Sequence, residues 1–153
     1  MLTIDICNDH PTHPVDEARL RETIAAILAD AGIEQYNVSV AVVDDATIHE
    51  LNRQYLAHDF PTDVLSFVLE QKPGQLEGEV IVSADTAARS AASYQWTADD
   101  ELLLYVIHGT LHLVGYDDLE DAPREQMRAA EQRYLALMGL AASSQQPSPK
   151  PTT

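Results

Sequence analysis

The chain has 153 residues, 45% of them apolar, and a net charge of −16 from 9 Lys and Arg against 25 Asp and Glu. That length and apolar share suit one folded domain and exclude disorder of the whole chain, while a lone cysteine, Cys7, excludes an intramolecular disulfide. The acidity argues against a broad basic face for nucleic acid or anionic membranes. No apolar stretch approaches the roughly 18 residues of a membrane span, and the opening lacks a basic segment followed by an apolar run. A cytoplasmic location with no membrane partner is expected.

Residues 2–7 alternate apolar and polar and predict a strand, in which Cys7 reads as a small buried hydrophobe. A turn over Pro11–Pro14 leads to a helix opened by Asp16 and Glu17 and stopped by Gly32, with Leu20, Ile24, Ile27, Leu28 and Ala31 at helical spacing. Val38, Val40 and Val42 alternate as a second strand. Asp44 or Asp45 then caps a short helix whose inward stripe is Ile48, Leu51 and Tyr55. A turn over 59–63 opens onto a third strand, Val64–Leu69. Residues 71–78, with Pro73 and Gly74, read as a loop before a fourth strand, 79–83, paired to the third as a hairpin.

Ser83 caps an Ala-rich helix running to about Tyr94, and Thr97 caps the next, with Asp99, Asp100 and Glu101 in its first turn. That next helix, roughly 98–114, is apolar nearly all round and so belongs in the middle of the domain. A last helix from near Pro123 carries Met127, Ala130, Tyr134 and Met138 on one side and ends at Gly139. The expected architecture is α+β: about four strands in a sheet with helices packed on it, a single domain over 1–140 and a disordered tail over 141–153.

His108 and His112 stand four residues apart on the most apolar helix, so their rings project from one face and can chelate one ion. Gly115 then turns the chain, and Tyr116-Asp117-Asp118 can fold back to add a third ligand and leave the ion's remaining position open. Helical zinc peptidases place Glu directly after the first His; Gly109 stands there, which argues against amide hydrolysis. The remaining histidines, His10, His13, His49 and His58, have no ligand spacing and read as surface residues. Ser66 lacks a general base in the sequence around it, and Trp96 reads as a packing residue at a helix junction.

The run His108-Gly-Thr-Leu-His112-Leu-Val-Gly-Tyr-Asp-Asp118 resembles the His-Gly-x-Leu-His-Leu-x-Gly-Tyr-Asp-His signature of YbeY-type endoribonucleases, the bacterial rRNA maturation factors. Leu51-Asn-Arg-Gln-Tyr55, Pro61-Thr-Asp-Val-Leu-Ser-Phe67 and Gly78-Glu-Val-Ile-Val-Ser83 match the same pattern in the same order. The resemblance implies a metal-dependent, single-strand-specific endoribonuclease. It would act in small-subunit rRNA 3′-end maturation and ribosome quality control, with precursor rRNA and the small ribosomal subunit and its proteins as partners.

The resemblance also implies metal ligands at His108, His112 and position 118, where Asp118 replaces the family's histidine. Two histidines and one carboxylate remain a competent set for one divalent ion, with Zn2+ the first expectation. Leu56 stands where the family carries Arg, and Arg53, about one turn earlier, is the candidate substitute. The acidity, Leu56 and Asp118 equally suit a non-catalytic, metal-stabilised ribosome-assembly factor that docks on basic ribosomal proteins. A metal hydrolase of another substrate is the third reading.

Overall fold

The computed structural model describes residues 2–58 and 62–141. Of the tail expected over 141–153, residues 142–153 lie outside the described residues, as do residues 59–61 of the turn expected over 59–63. Elements follow in the order β1 (Leu2–Asn8), α1 (Glu17–Asp30), β2 (Gln35–Val43), α2 (Asp45–Leu56), β3 (Val64–Lys72), β4 (Gln75–Ser83), α3 (Ala84–Ala92), α4 (Ala98–Leu113) and α5 (Asp121–Leu137). No helix among the described residues is long and apolar enough to cross a membrane.

The four strands form one mixed sheet in the order β1-β2-β4-β3. β1 runs parallel to β2 and β2 parallel to β4, whereas β3 returns antiparallel to β4. Because side chains alternate across a sheet, Val38, Val40, Val42, Val64, Val80 and Val82 point into the larger core, together with residues of α1, α3, α4 and α5. Val43, Leu65 and Ile81 point the other way and pack with Ile48 of α2. The α+β expectation is met: a four-stranded sheet with five helices packed on it.

Local chemistry explains where the helices begin. Asp16, Asp44, Ser83 and Thr97 each accept a backbone N–H of the first turn, and Thr97 and Asp100 form a reciprocal capping box. Between Asp44 and Asp45 the cap is Asp44; the Asp45 carboxylate instead accepts from Ser83 Oγ (2.6 Å), Thr86 Oγ1 (2.7 Å) and Arg89 (2.6 Å), tying α2 to α3. Every residue of α4 from Glu101 to Leu111 is buried. Its leucines, valine and isoleucine contribute about 1.5–3 kcal/mol each in burial, so this helix is fixed in place more firmly than any exposed segment could be.

Three expectations fail for definable reasons. Residues 71–78 are not a loop: Pro73 and Gly74 make a two-residue turn, and the hairpin ladder continues through Glu70–Glu77, Gln71–Leu76 and Lys72–Gln75. Its polar residues lie at the exposed turn end of the hairpin, while Leu76 of β4 is buried. Tyr55 is 62% exposed, and the buried partner of Ile48 on α2 is Asn52, which shares its face at a spacing of four. Cys7 is exposed because β1 is an edge strand and Cys7 faces the side of the sheet opposite Ile4 and Ile6, beside Ala41. Its thiol donates to Asp9 (3.1 Å), a contact that raises its pKa.

Candidate metal centre

Packing of α4 against the sheet decides which residues face the site. Gly109 lies over β3 and β4; a Cβ there would sit 2.6 Å from Val80 Cγ1 and 3.0 Å from both Ser66 Oγ and Val64 Cγ2. Any side chain at position 109 would force the helix and sheet apart, and one as large as the glutamate of a helical peptidase has no room. Ser66 Oγ donates to the Gly109 carbonyl (2.9 Å), so its hydroxyl fastens strand to helix and is not a nucleophile. With Gly109 on the sheet, His108 and His112 face away from it, toward α5 and the loop after α4.

The two rings meet edge to face, with centroids 4.7 Å apart and their Nε2 atoms separated by 3.2 Å. Gly115 (φ +105°) turns the chain after α4 and brings Asp118 back over the rings. Asp117 accepts from the Leu119 backbone N–H (3.1 Å) and shapes that turn. Arg124 of α5 donates to the Asp118 carbonyl (3.1 Å), anchoring the loop from the other side. Asp118 is 4% exposed; its Oδ2 lies 3.3 Å from His108 Nε2 and its Oδ1 3.5 Å from His112 Nε2.

These separations suit a shared ion. Zn–N and Zn–O bonds of about 2.0–2.2 Å in tetrahedral geometry put donor atoms about 3.3–3.6 Å apart. The two Nε2 atoms, 3.2 Å apart, match an edge of such a tetrahedron. Each faces a different oxygen of the Asp118 carboxylate, at 3.3 and 3.5 Å, and with one donor atom taken from each residue all three lie within 4.8 Å of one another. Among the described residues, His108, His112 and Asp118 form the one group of three or more His, Cys, Asp or Glu side chains placed to hold a metal ion.

The electrostatics favour the donor form at His112 and Asp118 and the protonated form at His108. Burial, reinforced by the adjacent His108, lowers the His112 pKa against the pull of Asp118 and the Tyr116 backbone, which favours the neutral imidazole that metals require. Burial also opposes charge on His108, but hydrogen bonds and charge from Asp118 and Glu131 outweigh it and raise its pKa. For Asp118 burial favours the neutral acid, yet the two histidines prevail and hold it below the usual carboxylate range.

Sequence reasoning passed over Glu131. Its Oε2 accepts from His108 Nδ1 at 2.7 Å, and both side chains are 0% exposed. A signal was present: Glu131 falls four residues after Met127 and one after Ala130, on the apolar side of α5. Arg53 goes the other way. It is exposed on α2, paired with Glu50, and no hydrogen bond or ion pair joins it to the histidines. Leu56 packs in the smaller core beside Leu51 and Phe67. Of the four histidines read as surface residues, His10 and His13 are largely buried, bonded to Asp85 (2.8 Å) and Asp99 (3.1 Å). Trp96 packs against the main core, as its position between helices implied.

A mixed sheet carrying a central His-x-x-x-His helix, with a carboxylate returned by the following turn, defines an α+β domain built around a metal-type donor set. A family model described as Endoribonuclease YbeY matches residues 5–139. Proteins named Endoribonuclease YbeY from Rhodopirellula baltica and Moorella thermoacetica are 43% and 41% identical, covering 91% and 88% of this chain and 78% and 96% of their own. That of Salinibacter ruber is 39% identical over 86% of this chain and 89% of its own. The solution structure of a Thermotoga maritima protein, 31% identical, superposes with a TM-score of 0.59 over 86% of each chain. The chain belongs to the YbeY endoribonuclease family.

Proposed function

We propose that this protein is a metal-dependent endoribonuclease that cuts single-stranded precursor rRNA during small-subunit 3′-end maturation and ribosome quality control, in the cytoplasm and beside the small subunit and its proteins. In this reading His108, His112 and Asp118 hold one divalent ion, Zn2+ by first choice. The observation that carries it is the convergence of His108 and His112 on a buried helix with the Asp118 carboxylate of the following loop, their donor atoms within 4.8 Å of one another, in a chain of this family. When bound, the ion supplies Lewis-acid polarisation of a phosphodiester oxygen and lowers the pKa of an attacking hydroxyl or water.

The residues set direction and access. His108 is fully enclosed and Asp118 nearly so, while the His112 side chain is 16% exposed, so a phosphate approaches from the His112 side. Gly109 and Val80 seal the opposite side against water. Arg53, exposed and held by Glu50, is the candidate to exchange that carboxylate for a substrate phosphate. Residues 1–140 act as a single domain and the remainder as a tail.

The test is cleavage of single-stranded precursor rRNA by purified protein with its metal content quantified, wild type beside His112→Ala. The reading requires about one equivalent of metal and cleavage in the wild type, and loss of both in the variant. Metal binding without RNA cleavage under any candidate ion or ribosomal partner would overturn it.

A further inference from the structure

Glu131 is buried completely on α5, and its two oxygens are already committed. Oε2 lies 2.7 Å from His108 Nδ1, and Oε1 lies 3.2 Å from the Arg128 guanidinium. A carboxylate held this way can only accept, so Nδ1 of His108 must carry the proton. That leaves Nε2, the atom 3.2 Å from His112 Nε2 and 3.3 Å from Asp118, with its lone pair directed into the donor triangle. Arg128 restrains the far oxygen and keeps the carboxylate from turning away.

We infer that Glu131 is a positioning residue: it fixes the tautomer and rotation of the His108 ring so that Nε2 meets the ion, and it makes that nitrogen a stronger donor. The inference rests on the reading of His108, His112 and Asp118 as ligands. Carboxylates behind a ligating histidine typically contribute 10–100-fold, on the order of magnitude, to metal affinity.

The experiment is a competition titration of Zn2+ against a chromophoric chelator for wild type, His112→Ala and Glu131→Gln, with thermal melts of each metal-free protein. Glu131→Gln keeps the volume and an accepting oxygen but removes the charge. Its affinity is expected to fall about 10–100-fold. A residue that merely joins α5 to α4 would lower the metal-free melt and leave the affinity of the folded protein at the wild-type value, which overturns the inference.

Long-range 1H–15N spectra of the zinc-loaded wild type decide the matter should the variant not fold. His108 must appear with a protonated Nδ1 and a metal-bound Nε2, and the reverse pattern refutes the positioning role. If wild type retains no ion, or His112→Ala binds as tightly as wild type, the ligand assignment itself fails. A normal wild type beside an unaffected Glu131→Gln condemns the inference about Glu131 alone.

Discussion

Gly109→Ala tests the contact that orients the whole site. The added methyl would lie 2.6 Å from Val80 Cγ1, about 0.8 Å inside the ordinary 3.4 Å limit of van der Waals contact, and 3.0 Å from Ser66 Oγ and Val64 Cγ2. Val80 and Val64 are β-branched, stiff about χ1 and fully buried, so neither can rotate away cheaply. The strain falls on the spacing between α4 and the sheet. Overpacking against two side chains that cannot turn falls in the upper part of the usual range, about 2–3 kcal/mol, and the better helix propensity of Ala returns about 1 kcal/mol. The expected net loss is about 1–2 kcal/mol, a drop of roughly 2–8 °C in melting temperature for a domain this size. Denaturant unfolding of the metal-free protein measures it, with an unchanged m-value showing that the same unfolding transition is compared. Gly78→Ala is the comparison: its nearest neighbours are the terminal methyls of Leu113 at 2.9 and 3.0 Å, which can turn, with the Phe67 carbonyl at a milder 3.2 Å, so its loss should be smaller. A Gly109→Ala protein as stable as wild type would refute the idea that helix–sheet approach dictates glycine here.

Asp118→Asn preserves shape while removing the charge, and should weaken Zn2+ binding by more than the roughly 10–100-fold of an outer partner; equal affinity in a competition titration would remove Asp118 from the ligand set. Asp45 makes a pH-dependent contribution to stability. Burial disfavours its charge, but Ser83, Arg89 and Thr86 outweigh this and lower its folded pKa. Its stabilisation is therefore complete above the unfolded carboxylate value of about 3.9 and disappears as pH falls through the lower folded value. Asp45→Asn should destabilise the protein near neutral pH and converge on wild type in acid, whereas a difference constant with pH would contradict the assignment. Finally, a chain of net charge −16 repels RNA at long range. Cleavage of single-stranded RNA should accelerate as monovalent salt rises from about 0.01 to 0.1 M, shortening the screening length from about 30 to 10 Å. A steady fall with salt would instead indicate that phosphate contacts dominate.

Much of the scaffold was legible because its signals are local. Caps at Asp16, Ser83 and Thr97 act on N–H groups three residues away, and the apolar stripe of each helix reads directly as burial. The histidine pair was legible too, since four residues on a helix place His108 and His112 on one face and the glycine turn brings Asp117 and Asp118 back toward them; the choice of Asp118 came from the family resemblance, not from spacing. What escaped depends on distant partners. Asp44 and Asp45 are equivalent in sequence, and the choice between them is made by Ser83, Thr86 and Arg89, some forty residues on. His10 looked like a surface residue because its partner, Asp85, is 75 positions away. Hairpin residues 71–78, of which only Leu76 and Gly78 are buried, look like a loop because Pro73 and Gly74 mark the turn, while the polar residues around them hide the pairing of β3 with β4. Glu131 was hidden by its type: a charged residue on an apolar stripe reads as an exception until the histidine opposite is known.

A shorter third donor calls for a compensating change in the chain around it, and two features supply one. The loop that carries Asp118 is drawn inward, with its carbonyl held by Arg124 and the turn closed by Asp117 onto Leu119, so the carboxylate reaches both Nε2 atoms at 3.3 and 3.5 Å despite its short side chain. The carboxylate also changes the charge. Relative to a histidine, Asp118 adds one negative charge to the donor set, while Glu131 is already paired with Arg128. A donor set with that extra negative charge would attract phosphate less strongly than three neutral donors, and Leu56 supplies no cation to make up the difference. If the set holds an ion as proposed, RNA capture would have to draw on cations elsewhere on the chain, and Arg53, exposed on α2, is the first to test.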